Sequence, residues 1–549
     1  MSQYSIFLME QMKFNYKLSL LIITLFAAFV RLVFLDQFPN GFTGDEAQQG
    51  YSAYSILKTG KDEWGEILPI FPRGFGDYKP PLYTYLTVPS VGLLGLTVEA
   101  VRLPAAVIGI LSVLVVFFLA KELLKDERIA LWSSILFAIN PWHIQLSRTA
   151  FEGGVGILTF SIGLLFYLKS GIRNLILSSI FFSLTLYSYH SWRLFIVLFI
   201  AGLILSSWKK LISIKYWIPG LILLIFILPL MININSVLKR SSDVGVFSKD
   251  RITGYFSNKG TSSLYPIVDR LLDNKFVYVL NEFSGNYLSY FSPGFIFGDD
   301  RSDNTYLNFP YSPLLYFIEL IFWLFAIYSL ITKRLENRKI IILWFILAAV
   351  PASLAVGSMN ANRTPTLLPL ASVISAIGAV YMIEKWKYAN KIISVSLLIS
   401  FVFFLHFYFL KLPQKPPDNL RYGYDQVFKK ILEVESQYDQ VVTSKAFTEP
   451  QIFIAFYSKM DPVEFQMAST DWLRYEKSDK LYVDQLQSWN LGKFYFEDLN
   501  WNLKDSNREN ALIVGKPEDF PQDVESILDV YDHKKKMLYR LIPVNYEKN

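Results

Sequence analysis

Long apolar runs separated by short polar connections fill most of the first 411 residues. Runs of roughly 17–25 apolar residues match the length of a bilayer-crossing α-helix. The first, LSLLIITLFAAFVRLVFL, occupies about 17–35. Others lie at about 100–120, 129–145, 154–169, 174–189, 193–208 and 216–233, then at 312–332, 340–357, 366–383 and 391–411. The pattern therefore predicts about eleven membrane spans. The first run is too long for a signal peptide, and no A-x-A-like cleavage site follows it, so it reads as a retained helix. A further apolar piece, PPLYTYLTVPSVGLLGL at 80–96, opens on two prolines and contains Pro89. It suits an amphipathic helix lying in the membrane interface better than a span.

Basic residues orient this ladder, because Lys and Arg concentrate in short cytoplasmic loops. With Lys13 and Lys17 placed inside, every second connection is basic: KELLKDER at 121–128, Lys169 with Arg173, then Lys209, Lys210 and Lys215, then KRLENRK at 333–339, then Lys385, Lys387 and Lys391. The alternate connections carry carboxylates, histidines and isolated arginines instead. This predicts a multi-pass cell-membrane protein with a cytoplasmic N-terminus and an extracytoplasmic C-terminus. The expected organisation is a transmembrane catalytic domain over 1–411 and an extracytoplasmic domain over 412–549. The first part has two large external loops, at 36–99 and 234–311. In the tail, short alternations such as YDQVVTS (438–444) and QIFIAFYS (451–458) predict strands of a small α/β domain. The expected fold class is thus a polytopic α-helical membrane protein with external loops and that appended domain.

Composition agrees: 52% of the 549 residues are hydrophobic and only 18% charged, away from the balance of a soluble domain. The absence of cysteine excludes thiolate metal sites, disulfides and thiol catalysis. Four histidines leave little for a His-rich metal centre, and a net charge of +6 is small for this length; no nucleic-acid partner is expected.

Against this topology, the polar groups at external helix ends are the candidates for chemistry. GFTGDEAQQGYSAYSILKTG (41–60) places Asp45 and Glu46 at the start of a helix, where Thr43 and Asp45 suit capping. Adjacent carboxylates at the mouth of a helical bundle equally suit a general base with a neighbour that tunes it. GFGDYKPPLYTYL (74–86) is a rigid turn carrying Asp77 and Lys79; the lysine suits either snorkelling or an anionic lipid head. Arg102 opens a span on the outer side, where an anionic partner is expected. Glu152 follows Arg148 at i,i+4, the spacing of a helical ion pair. His190, Arg193 and Arg363 also sit at external helix ends. None is specific alone. Together they collect carboxylates and cations at one membrane face, away from the midplane where a transporter keeps its coupling groups.

These residues carry a resemblance. The block GDEAQQGYSAYSILKTG, then Trp64-Gly65, GDYKPPLYTYLTVP and FLAKELL resembles glycosyltransferase family 39. That family comprises protein O-mannosyltransferase-like enzymes, related to lipid A aminoarabinose transferases, with the membrane glycosyltransferase C fold. The resemblance covers about 20–410 and is strongest over 41–122. It implies inverting sugar transfer from a dolichyl- or other polyprenyl-phosphate donor to a hydroxyl or amine of a protein, lipid or glycan. It implies Asp45 as catalytic base with Glu46 beside it, and Lys79 on the lipid phosphate. Here Asp77-Tyr78-Lys79-Pro80 replaces the family's Glu-Lys-Pro-like motif. Arg102, Glu152 and Arg363 fall where the family places further site residues. A phosphate leaving group needs charge stabilisation, from Lys79, Arg102 and either Arg193 or Arg363, and no second carboxyl. No cofactor is required, and a divalent ion near Glu46 or Glu152 is compatible.

Two other readings compete. A flippase or transporter for a lipid-linked sugar would need midplane charges and a repeat relating two halves; neither is present in the sequence. An oligosaccharyltransferase or glycan ligase on a related scaffold would be the other. Asp471-Trp472 alone is not the W-W-D-like motif of the former.

Overall fold

The computed structural model describes residues 16–206, 217–238, 245–259, 274–298, 313–357, 359–414, 420–478, 480–502 and 505–544. Lys13, Lys209, Lys210, Lys215 and parts of the 234–311 loop lie outside the described residues.

The apolar runs form helices near the expected positions. Helix α1 is Tyr16–Leu32, α2 Gly44–Thr59, α3 Pro81–Leu94 and α4 Val98–Leu124. The run at 129–145 is two helices, α5 (Glu127–Ile139) and α6 (Pro141–Ser147). Asn140 breaks it: its backbone is extended, it caps His143, and Pro141 restarts the helix. There follow α7 (Gly153–Lys169), α8 (Ile172–Leu186), α9 (His190–Ser206), α10 (Trp217–Ile232), α11 (Ile318–Thr332), α12 (Arg338–Ala348), α13 (Leu368–Lys385) and α14 (Ala389–His406). Among the described residues three helices are long and apolar enough to cross a membrane: Val98–Leu124, Pro365–Lys385 and Ala389–Gln414. Five shorter apolar helices accompany them. On α14, Ile392, Val395, Leu398, Ile399, Val402 and Phe403 are all exposed, an outward apolar stripe suited to lipid.

Small residues set the close packing within the bundle. On α13, Ser375 accepts a hydrogen bond from Trp323 Nε1 of α11 at 3.0 Å. One turn on, a Cβ built on Gly378 would lie 1.8 Å from the Phe322 carbonyl oxygen. Glycine is what lets the two backbones meet there.

After α14 the chain forms helix α15 (Tyr424–Val434), strand β1 (Gln440–Ser444), α16 (Pro450–Ser458) and α17 (Pro462–Trp472), followed by five more strands. With β2 at Ser488–Leu491, β3 at Phe494–Glu497, β4 at Ala511–Gly515, β5 at Leu528–Tyr531 and β6 at Met537–Val544, the six-stranded sheet has the order β2-β3-β1-β4-β6-β5. Strand β1 runs parallel to β3 and β4, and the other pairings are antiparallel. The expected strand at 438–444 is β1, but 451–458 is a helix. Pro450 starts it, and Gln451 through Phe456 are all buried. A short apolar run buried on every side shows no period that separates strand from helix.

One hydrophobic core joins this sheet unit to the loop after α1. Phe42, Ala47 and Tyr51 pack in the same cluster as Phe456, Phe465 and Trp472. The rings of Phe42 and Phe456 stand 4.8 Å apart, and Tyr51 donates to the Met460 carbonyl at 3.1 Å.

Gly378→Ala is expected to lower stability by about 1–3 kcal/mol, because the methyl meets backbone that cannot swing away. A lower melting temperature in detergent checks this; an unchanged one refutes the close contact.

Candidate active site

Helix α2 begins with a capping box. Thr43 Oγ1 accepts from the Glu46 backbone N–H at 3.1 Å, and Glu46 Oε2 accepts from Thr43 N–H at 3.0 Å. The N-cap is therefore Thr43, not Asp45. Glu46 is spent on structure. Besides the cap it accepts from Arg102 Nε at 2.8 Å and from the Ala150 N–H at 3.2 Å.

Arg102 is fully buried and committed to its surroundings. Its Nη1 donates to the Leu35 and Pro39 carbonyls, each at 3.2 Å, and its Nη2 to the Gly41 carbonyl and Glu46. The anion expected next to Arg102 is thus Glu46. Arg148 is also fully buried. It donates to the carbonyls of Val30, Val33, Phe34 and Phe38 at 2.7–3.1 Å, not to Glu152. The i,i+4 pair does not form because Arg148 ends α6, where it instead closes the C-terminus of α1.

With Glu46 turned inward, Asp45 is left at the open end of α2. Its side chain is about half exposed, and it accepts from Lys79 Nζ at 2.6 Å. Lys79 also faces Asp77 Oδ1 at 3.3 Å. The Lys79 turn is tight: Gly74 N–H donates to the Asp77 carbonyl at 2.7 Å, and Lys79 N–H to the Pro72 carbonyl at 2.8 Å. Glu152 lies behind this pair, accepting from Gln49 Nε2 at 2.7 Å, while Gln49 Oε1 accepts from Thr84. Burial, with Asp45 adding to it, pushes the Glu152 carboxyl up to about 7, against the pull of Lys79.

The structure thus brings Asp45, Asp77, Lys79 and Glu152 together. His190 and Arg193 lie at the start of α9, where the Arg193 guanidinium stands 5.4 Å from the Phe71 ring centre, on the segment that leads into the Lys79 turn. Arg193 donates to the Leu186 carbonyl at 3.2 Å and meets His190 Nδ1 at 3.2 Å. Its buried Nη2 has no hydrogen-bond partner among the described residues. Arg363 donates to the Val356 and Gly357 carbonyls, holding its own loop. No described contact joins it to Lys79. Among the described residues, no group of three or more His, Asp or Glu is placed to hold a metal ion.

Gln49 and Thr84 were not singled out from the sequence. The signal was there for Gln49: Gln48 and Gln49 interrupt α2 on faces that prove fully buried. Glu449 is a second omission, reached only through the fold. Its Oε2 would lie 2.3 Å from a Cβ on Gly44, the residue before Asp45.

Residues 78–232 match the family described as Dolichyl-phosphate-mannose-protein mannosyltransferase. That segment contains Lys79, Arg102, Glu152, His190 and Arg193, and it is narrower than the 20–410 the resemblance suggested. The similarity to that family is thus carried by 78–232, a segment from the Lys79 turn to α10.

The fold resembles ArnT from Cupriavidus metallidurans bound to undecaprenyl phosphate: TM-score 0.52, 12% identity, 96% of this chain and 98% of that one. The apo state of ArnT gives TM-score 0.51 at 11% identity, with the same coverage. AglB from Archaeoglobus fulgidus, in complex with an inhibitory peptide and a dolichol-phosphate, gives 0.46 at 15% identity. That match covers 81% of this chain, which spans 63% of the AglB chain. No curated protein matches the sequence. This likeness shows that the chain shares the fold of ArnT.

Arg102→Met is expected to destabilise the protein by about 3–5 kcal/mol, because it leaves Glu46 buried without its partner. Adding Glu46→Gln should recover part of that loss. Melting curves of the two variants check it, and a wild-type melt for Arg102→Met would refute the structural role.

Proposed function

We propose that this chain transfers a sugar from a polyprenyl-phosphate donor to an acceptor hydroxyl or amine at the outer membrane face, with inversion. The observation that carries this reading is the Asp45–Lys79 ion pair, 2.6 Å long, at the exposed end of α2. It joins a carboxylate able to take a proton and a cation able to hold a phosphate. In the resting site each neutralises the other. A donor phosphate draws Lys79 to itself and leaves Asp45 as a general base. The acceptor oxygen or nitrogen then attacks the anomeric carbon opposite the phosphate. Its proton goes to Asp45, the carbon–oxygen bond to phosphate breaks, and the electron pair leaves on the lipid phosphate. No covalent enzyme intermediate is needed, in contrast to retaining glycosidases.

Arg102 was expected to help hold the phosphate, but its donors are occupied. In this reading it holds Glu46, and thereby α2, in place. Arg193, with its unpartnered Nη2, is the better second phosphate ligand, with His190 beside it. Asp77 and Glu152 orient Lys79 and Gln49. Arg363 sits on a separate loop, and we give it no role in the transfer. No step in this reading is routed through a divalent ion. The same fold in ArnT is described bound to undecaprenyl phosphate, which supports a long-chain lipid donor. The basic-loop alternation supports eleven spans, a cytoplasmic N-terminus, a membrane domain over 1–411 and an outer domain over 412–549. Lipid, glycan and protein acceptors all fit this reading.

Asp45→Asn is expected to reduce transfer by at least about 10²-fold with folding intact. Purified protein in lipid, given a panel of polyprenyl-phosphate sugars and followed by donor consumption, checks this. Wild-type turnover in the variant would remove Asp45 from the mechanism. Arg193→Gln should raise the donor KM about tenfold, the scale of one charge-assisted hydrogen bond, with the acceptor KM unchanged.

A further inference from the structure

We propose that Glu449, supplied by the sheet unit after α14, is an acceptor-binding residue of the same site; this rests on the glycosyl-transfer reading above. Glu449 lies 404 positions from Asp45 in the chain, yet its Oε2 occupies the space over Gly44 where a side chain would stand. It sits at the N-terminus of α16 with a left-handed backbone, φ +52°. Outside glycine that conformation is costly and persists where surroundings enforce it. Here the enforcement is visible: the Glu449 N–H donates to Asp484 Oδ2 at 3.2 Å, and Pro450 fixes the next turn.

The unit that carries Glu449 is clamped onto both segments of the site. Along α2, Gln466 Nε2 donates to Ser55 Oγ at 3.1 Å and to the Asp62 carbonyl at 2.9 Å. Along the Lys79 turn, Val483 N–H donates to the Phe75 carbonyl at 2.9 Å, and a Cβ on Gly76 would lie 2.1 Å from the Tyr482 ring. These contacts fix the Glu449 carboxyl relative to both Asp45 and Lys79. The placement therefore belongs to the folded site and not to a tethered domain.

Charge decides which substrate Glu449 meets. A phosphate is attracted by Lys79 and Arg193, so the donor head belongs on the lysine side. The neutral hydroxyl or amine of the acceptor belongs on the Glu449 side. Burial, then Asp484 and Asp45, push the Glu449 carboxyl up to about 8, with Lys79 opposing and Asp77 adding to the rise. A carboxyl that keeps its proton near neutrality can both donate to and accept from an acceptor hydroxyl.

The test uses full-length protein in nanodiscs, polyprenyl-phosphate hexoses and aminosugars as donor probes, and a serine-rich peptide, a glycolipid and an oligosaccharide as acceptor probes. Glu449→Ala should raise the acceptor KM about tenfold, the worth of one strong hydrogen bond. The donor KM and the slow hydrolysis of donor without acceptor should stay at wild-type values. Glu449→Gln, which keeps the shape and the hydrogen bonding, should restore most of the acceptor affinity. Gly44→Ala places a methyl where Oε2 lies and should reproduce the acceptor defect by displacing a flexible carboxyl. Combined with Glu449→Ala it should add nothing, since both act on one contact.

An unchanged acceptor KM in Glu449→Ala overturns the proposal. So does a parallel rise of donor and acceptor KM with a lowered melting temperature, or a Gly44→Ala defect that multiplies the Glu449→Ala one. Wild-type protein that consumes none of the donors overturns the glycosyl-transfer reading, and the proposal with it. Active wild type with an unaffected Glu449→Ala overturns the proposal alone.

Discussion

The buried pair of Glu46 and Arg102 is the constraint around which the site is arranged. A carboxylate and a guanidinium removed from water are tolerable only if every donor and acceptor is satisfied. Here they are satisfied by the Thr43 cap, the Ala150 N–H and the carbonyls of Leu35, Pro39 and Gly41. That set of partners comes from the end of α1, the start of α2, the start of α4 and the connection before α7. One ion pair thus fixes four segments against each other. It also fixes the direction of α2, and so decides that Asp45, one residue before Glu46, faces outward.

A division of labour follows between adjacent acidic residues. Glu46 is inward, bonded on both oxygens and unavailable; Asp45 is half exposed and held by a single lysine. The same division applies to the arginines. Arg102 and Arg148 are wholly buried and saturate backbone carbonyls, which are the unsatisfied acceptors at helix ends and in the connections between helices. Among the described residues Arg193 keeps a terminal nitrogen, Nη2, without a hydrogen-bond partner, whereas Arg148 leaves only its Nε unpaired. Chemistry is left to the charges that structure does not consume.

The membrane helices and the sheet unit are coupled more tightly than a linker would allow. Phe42, Tyr51 and Phe75 share a core with Phe456, Phe465 and Trp472, so the loop bearing Asp45 and Lys79 has its apolar face covered by residues from the far end of the chain. A loop that long would otherwise expose large aromatics to water. Its rigidity, and that of the ion pair it carries, depends on this cover.

The sequence by itself determined the long apolar runs suited to a membrane and the positions of most helices. Hydrophobic length and basic-loop alternation are local quantities, read within a window of some twenty residues. It also carried a family resemblance, strongest over 41–122, and the matching family model spans 78–232. Tertiary structure alone decided which charges remain available. Whether Arg102 meets a ligand or Glu46, whether Arg148 meets Glu152 or the end of α1, and whether 451–458 is strand or helix all turn on neighbours distant in sequence. The arrival of Glu449 beside Gly44 is the extreme case. Spacing along the chain carries no information about a contact made by two units sharing one apolar core.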